Sequence, residues 1–180
     1  MNRYSFRPLV IAALLCSVLG MAALAALALP QGTAYADPDT NKATVEQLRT
    51  DVALDGDNEA FDTIVADDFV GHLPQIAGDW AELSKTGLND LITQTTRAIM
   101  DLEIESDLLL AEGDLVAQRA TMRGVFASEF FDTPPTDVEL EISFNILYRF
   151  NESGQLVEMW MEGDLNYLVS EVGMTLVPEE

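Results

Sequence analysis

Between positions 138 and 150 the chain alternates. Val138, Leu140, Ile142, Phe144, Ile146, Tyr148 and Phe150 are apolar, and Glu139, Glu141, Ser143, Asn145 and Arg149 stand between them. A period of two predicts a strand over 138–150 with one buried face, and a single register keeps Glu139 and Glu141 out of the core. Upstream, Leu102, Ile104, Leu108 and Leu110 alternate with Glu103, Glu105 and Asp107. Glu112-Gly113-Asp114 reads as a hairpin turn into another strand over 115–127, and Asp132-Thr133-Pro134-Pro135 as a loop. Asn151-Glu152-Ser153-Gly154 turns the chain into a last strand through Leu156, Met159 and Trp160, which ends at Asp164. Leu165, Leu168, Val169 and Val172 then repeat at helical spacing and predict a terminal helix.

The first half of the domain has the other period. Thr44-Val45-Glu46-Gln47 fits a capping box, with Val45, Leu48 and Val52 behind it, and predicts a helix over 44–54. Asp55-Gly56-Asp57-Asn58 is a turn before a short helix over 59–65. Phe69-Val70-Gly71-His72 is a short extended piece ended by Pro74, and Leu88, Leu91, Ile92, Thr95 and Ile99 mark an amphipathic helix. Helices first, then an antiparallel meander, then one helix: the order predicts an α+β fold, a curved sheet with helices on one face. Such a cone leaves an apolar pocket suited to a small ligand.

Positions 1–36 stand outside this pattern. Arg3 and Arg7 precede an uncharged apolar run over 9–29, Pro30 and Gly32 break it, and Ala34-Tyr35-Ala36 offers an A-x-A cleavage site. This is the layout of a signal peptide, so 1–36 is expected to be removed and 37–180 to form one domain, exported to the periplasm or medium. The run also reaches membrane-spanning length, and an uncleaved N-terminal anchor is the alternative. Leu15 before Cys16 argues against a lipoprotein anchor. Cys16 is the only cysteine, so the remaining domain has no thiol chemistry. None of the 31 Asp and Glu, and only Arg3 and Arg7 of the nine Lys and Arg, precede Asp37, so the net charge of −22 becomes −24 without the leader. A field of that sign repels nucleic acid and anionic lipid.

The motifs carry a resemblance. Phe69-Val70-Gly71-His72-Leu73-Pro74, the segment Ala111-Glu112-Gly113-Asp114-Leu115-Val116-Ala117-Gln118-Arg119, the turn Pro134-Pro135-Thr136, Tyr148-Arg149-Phe150 and Gly154-Gln155-Leu156-Val157-Glu158-Met159-Trp160 with Asp164 follow one another in order. In that order and spacing they are similar to the SnoaL-like polyketide cyclase (ester cyclase) family, within the nuclear-transport-factor-2-like superfamily. The resemblance implies a cone-shaped fold and a cofactor-free, metal-free intramolecular aldol condensation of a polyketide-like carbonyl compound. It implies Asp164 as the acid/base residue, with His72 and Arg119 beside it in one cavity and Trp160 on the wall. Phe126, Phe144 and Tyr148 are the further aromatic candidates for a ligand wall. Asp137 follows the Pro134-Pro135-Thr136 turn where the family has Gly, and a second departure matters more. Gly124-Val125-Phe126-Ala127-Ser128 stands where it usually carries Gly-Thr-His-x-Gly, so Phe126 replaces an imidazole.

Each residue has a plainer reading. Asp164 at a strand-to-helix corner can simply cap the helix. His72, the only histidine, can be structural, and Arg119 can face outward to offset the acidic surface. A lone histidine is not a metal site, and Asp55-x-Asp57-x-Glu59 lacks the glycine of a calcium loop. Three functions are compatible with these residues: a cyclase or isomerase, a non-catalytic module binding a small apolar ligand, and a homo-oligomer formed through the exposed sheet face.

Overall fold

The computed structural model describes residues 37–74, 80–130, 133–164, 167 and 170. The expected leader, 1–36, lies outside the described residues. Helix α1 spans Pro38–Gln47 and runs into a π-helical segment, Leu48–Leu54. It opens earlier than the expected start at Thr44, because Pro38 in the first turn has no N–H to leave unsatisfied. Thr44 caps nothing. Its Oγ1 donates to the Thr40 carbonyl at 3.1 Å, as a mid-helix threonine does. Helix α2, Asn58–Ile64, is capped by Asp57, whose carboxylate accepts from the Glu59 and Ala60 N–H groups. Strand β1 (Val65–Pro74) is longer than the predicted extended piece, and β2 (Trp80–Ser84) was not legible in the sequence pattern. Ser84 caps helix α3, Lys85–Ala98, by accepting from Gly87 N. Strands β3 (Ile99–Glu112), β4 (Leu115–Phe126), β5 (Glu139–Phe150) and β6 (Leu156–Gly163) follow. Gly113, at φ +60°, makes the tight turn between β3 and β4.

These strands form one six-stranded sheet in the order β2-β1-β6-β5-β4-β3. The expected antiparallel meander holds from β3 to β6. The departure is β1, which pairs parallel to β6, with His72 opposite Trp160. A parallel pair needs a long crossover, and here the rest of the domain supplies it.

Register decides which side chains meet. On the concave face, Val116, Gln118, Ala120 and Met122 of β4 stand opposite Tyr148, Ile146, Phe144 and Ile142 of β5, and Met159 and Met161 of β6 continue the row. Val45, Leu48 and Val52 from the first helical stretch, Phe61 and Ile64 from α2 and Leu88 from α3 bury themselves against this side. The even-numbered residues of β5 therefore face the helices, as the alternation predicts. A second apolar cluster gathers Ala98, Ile99, Met122, Phe126, Leu140 and Ile142, with Tyr167 packed against it. Tyr167 and Ser170 are helical, and Leu165, Leu168, Val169 and Val172 lie outside the described residues. Among the described residues no helix is long and apolar enough to cross a membrane.

Candidate functional site

Between the concave sheet face and the helices lies a cavity of about 460 Å³. Leu48 and Ala53, Leu88 and Ile92, and strand residues such as Met122 and Met159 make its wall overwhelmingly apolar. Phe126, Phe144 and Tyr148 also line it. Phe126 is 2% exposed, so the position of the family imidazole is filled by a dry ring. Phe144 is only half-buried, because the cavity lies beside it. A glycine at 163 makes room for that ring: a Cβ there would stand 2.6 Å from Phe144 Cδ1.

One line of polar groups crosses this wall. Tyr148 Oη donates to Gln118 Oε1 at 2.7 Å, and Gln118 Nε2 donates to Ser106 Oγ at 2.7 Å. The Ser106 hydroxyl helps to hold the Glu46 carboxyl ionised. Arg49 closes the line, with Nε and Nη2 on Glu46 Oε2 and Nη1 on the Ile104 carbonyl at 2.9 Å. Burial pushes the Glu46 carboxyl up, but the hydrogen bonds from Ser106 and Arg49 and the Arg49 charge outweigh it and hold it below the usual carboxylate range. Burial pushes the Tyr148 hydroxyl far above its ordinary value, with the nearby Glu46 charge adding to the shift. At neutral pH the line is a neutral phenol, a neutral amide, a hydroxyl and an ionised carboxylate.

The expected convergence of Asp164, His72 and Arg119 in this cavity is not found. Arg119 pairs with Asn145 across β4–β5 and belongs to the convex face. It is more than half exposed there, with its Nε 4.0 Å from Asp107. His72 and Trp160 are neighbours on the same outer face: their rings stack 5.2 Å apart at 13°. His72 Nε2 donates to Glu158 Oε1 at 3.0 Å, and Arg149 bonds the other Glu158 oxygen and lies 4.9 Å over the Trp160 ring. The reason is the period of the strand. Val116, Ala120 and Met122 face inward, so Arg119 cannot. Asp164 is exposed, and its Oδ1 accepts from Tyr167 N at 3.1 Å. It follows Gly163, which lines the cavity, and so stands one residue beyond the wall. The outer face has its own groove of about 500 Å³, bordered by Leu108, Arg119, Leu147, Trp160 and Glu162. Among the described residues no three His, Cys, Asp or Glu side chains gather to hold a metal ion.

The profile of the SnoaL-like polyketide cyclase family matches residues 43–171, from within α1 to beyond β6. The chain belongs to that family. No curated protein matches it. Among solved structures, it is similar to a candidate SnoaL-like polyketide cyclase from Jannaschia sp. CCS1, with a TM-score of 0.66 and 19% identity over 77% of this chain and 94% of that one. IdmH, a candidate polyketide cyclase from Streptomyces antibioticus, gives a TM-score of 0.61 and 26% identity over 74% of this chain and 99% of that one. AclR, a candidate hydroxylase from Streptomyces galilaeus, gives 0.64 and 23% over 76% and 98%. The family fold thus serves proteins named for two kinds of reaction, and the function of a member has to be argued from its own cavity.

For this SnoaL-like member, the residues that the sequence reading missed are Gln118, Ser106, Glu46 and Arg49. One signal was available. Gln118 is the polar residue in the inward row Val116, Gln118, Ala120, Met122, where a side chain is buried and has to find partners.

Proposed function

We propose that the chain takes a small, apolar, carbonyl-bearing compound of the polyketide kind into the cone and rearranges it as a cofactor-free cyclase or isomerase. The observation that carries this reading is the cavity itself: about 460 Å³ of apolar wall crossed by a single polar line. An apolar wall gives affinity through buried surface, and one fixed polar group gives orientation. The likeness to IdmH, at 26% identity, supports the substrate class. In a ring closure of this type the protein holds a folded chain and moves protons. Asp164, next to the wall residue Gly163, is the carboxylate we assign to take the proton from a carbon between two carbonyls.

The test is deuterium exchange at that carbon of ethyl benzoylacetate, followed by NMR in deuterium oxide. The full chain is expected to accelerate exchange by roughly a hundredfold or more, the usual reach of a positioned base. Asp164→Asn should return the rate to the spontaneous one. Unchanged exchange in that variant removes Asp164 from the reaction. The second reading, a non-catalytic binding module, is favoured by one observation: the dry Phe126 ring stands where the family usually has an imidazole. It becomes the better reading if the compound binds and wild-type protein leaves exchange at the spontaneous rate.

We also propose export with cleavage after Ala36, supported by the Arg3/Arg7 start, the apolar run and Ala34-Tyr35-Ala36. N-terminal sequencing of secreted material should begin at Asp37, and a membrane-bound chain beginning at Met1 would mean an anchor instead.

A further inference from the structure

We propose that Gln118, held between Ser106 and Tyr148, is the group by which the cavity selects its ligand. The inference rests on the ligand-binding reading above and adds the chemistry of the ligand: an apolar molecule that carries a carbonyl beside a hydroxyl, as the enol of a β-dicarbonyl does.

Gln118 Nε2 donates to Ser106 Oγ at 2.7 Å, and Gln118 Oε1 accepts from the Tyr148 hydroxyl at 2.7 Å. A primary amide nitrogen carries two N–H groups, and a phenol oxygen accepts as well as donates.

Two valences remain. The Gln118 nitrogen has a second N–H, and the Tyr148 oxygen has a lone pair. Among the described residues neither has a further hydrogen-bond partner. Both residues line the cavity. The apolar wall therefore offers one donor and one acceptor next to each other. A ligand carbonyl meets the first and a ligand hydroxyl meets the second. A plain hydrocarbon meets neither and leaves both desolvated without compensation. Gln118 and Tyr148 are ligand-contacting residues on this account, while Ser106 is a positioning residue that acts through Gln118.

The experiment uses two probes of matched carbon skeleton, butylbenzene and benzoylacetone, titrated into the full chain by NMR. Wild-type protein is expected to bind benzoylacetone roughly tenfold more tightly, the worth of one or two net hydrogen bonds. Gln118→Leu should bring the ratio of the two affinities to about one while butylbenzene still binds, which shows that the cavity is intact. Ser106→Ala, which removes the acceptor that holds the Gln118 nitrogen, should shrink the ratio several-fold without changing butylbenzene binding. A purely structural role for Ser106 would move both affinities together. Equal binding of the two probes by wild type, or a preference that survives Gln118→Leu, overturns the selection proposal and leaves the ligand-binding reading intact. Failure of wild type to bind either probe overturns that reading, and this one with it. If Gln118→Leu binds neither probe, Tyr148→Phe decides on the same ratio: a retained full preference overturns the proposal.

Discussion

The two faces of the sheet are built from the same strands and do opposite things. The concave face sends Met122, Phe144, Ile146, Tyr148 and Met159 toward the helices and encloses a cavity. The convex face sends Arg119, Arg149, Glu158 and Trp160 to solvent, where charge and aromatic rings tie neighbouring strands together. Three of the seven Lys and Arg after Asp37 sit on this outer side of β4 and β5, as Arg119, Arg123 and Arg149, each beside a carboxylate. The contrast teaches that a charged strand residue next to a cavity residue in sequence, as Arg119 is to Gln118, lies on the opposite face. Parity along the strand, and not chemical type, assigns a residue to the cavity.

The largest expected effect tests the inner face. Phe126 belongs to the buried cluster with Ile99 and Ile142 and lines the cavity. Phe126→Ala should lower the stability to urea by about 3–5 kcal/mol, the range for a buried aromatic truncation. A loss under about 1 kcal/mol would mean that the cavity wall collapses freely and that the concave face is not a packed surface.

Tyr148→Phe comes next. It leaves Gln118 Oε1 without the donor at 2.7 Å, and an orphaned buried acceptor costs about 1–3 kcal/mol. The same variant has a signature in pH. In the unfolded chain a tyrosine releases its proton near pH 10, while burial keeps the folded Tyr148 protonated beyond that. The contribution is therefore complete below about pH 10 and is lost as pH rises past it, because the unfolded state ionises first. Wild type should lose stability faster than Tyr148→Phe above about pH 10. Parallel curves for the two proteins would show that the phenol is not held in a dry place.

Much of this was legible in the sequence. The alternation over 138–150 gave β5 and its faces, because a strand with one dry side tolerates only one register. The hairpin at Gly113 and the turn at Gly154 were legible for a local reason: both residues adopt positive φ. The α1 start was misread because a capping-box pattern at Thr44 competed with Pro38, and the proline won. β2 and the parallel β1–β6 pair were invisible, since pairing partners far apart in sequence leave no local period. The site was the least legible part. Charged and aromatic types drew attention to His72, Arg119 and Trp160, whereas their register puts them outside. Gln118, an uncharged amide between an alanine and an arginine, gave a signal only through the company it keeps on its own face.

Trp160→Ala sharpens the contrast at smaller scale. It removes the stack on His72 and the Arg149 cation over its ring, together worth about 1–2 kcal/mol at a half-exposed site. Because the ring lies on the far side of the sheet, butylbenzene affinity should not change. A clear drop in that affinity would show that the two faces communicate.

The smallest effect is the most direct measure of the outer face. His72 and Glu158 meet at 3.0 Å with side chains 21% and 26% exposed, and Glu158 also holds Arg149. A shared carboxylate on a wet face is screened, and holding long side chains still opposes the gain. The coupling energy from the cycle His72→Ala, Glu158→Ala and the double variant should therefore lie at about 0.2–1 kcal/mol in stability. The cycle is the right instrument because each single change also disturbs Trp160 or Arg149, and those disturbances cancel only in the difference. A coupling above about 2 kcal/mol would place this pair outside the range of solvated ion pairs. The convex face would then hold a dry, organised cluster of its own, and the division between a cavity side and a solvated side would fail where β1 meets β6.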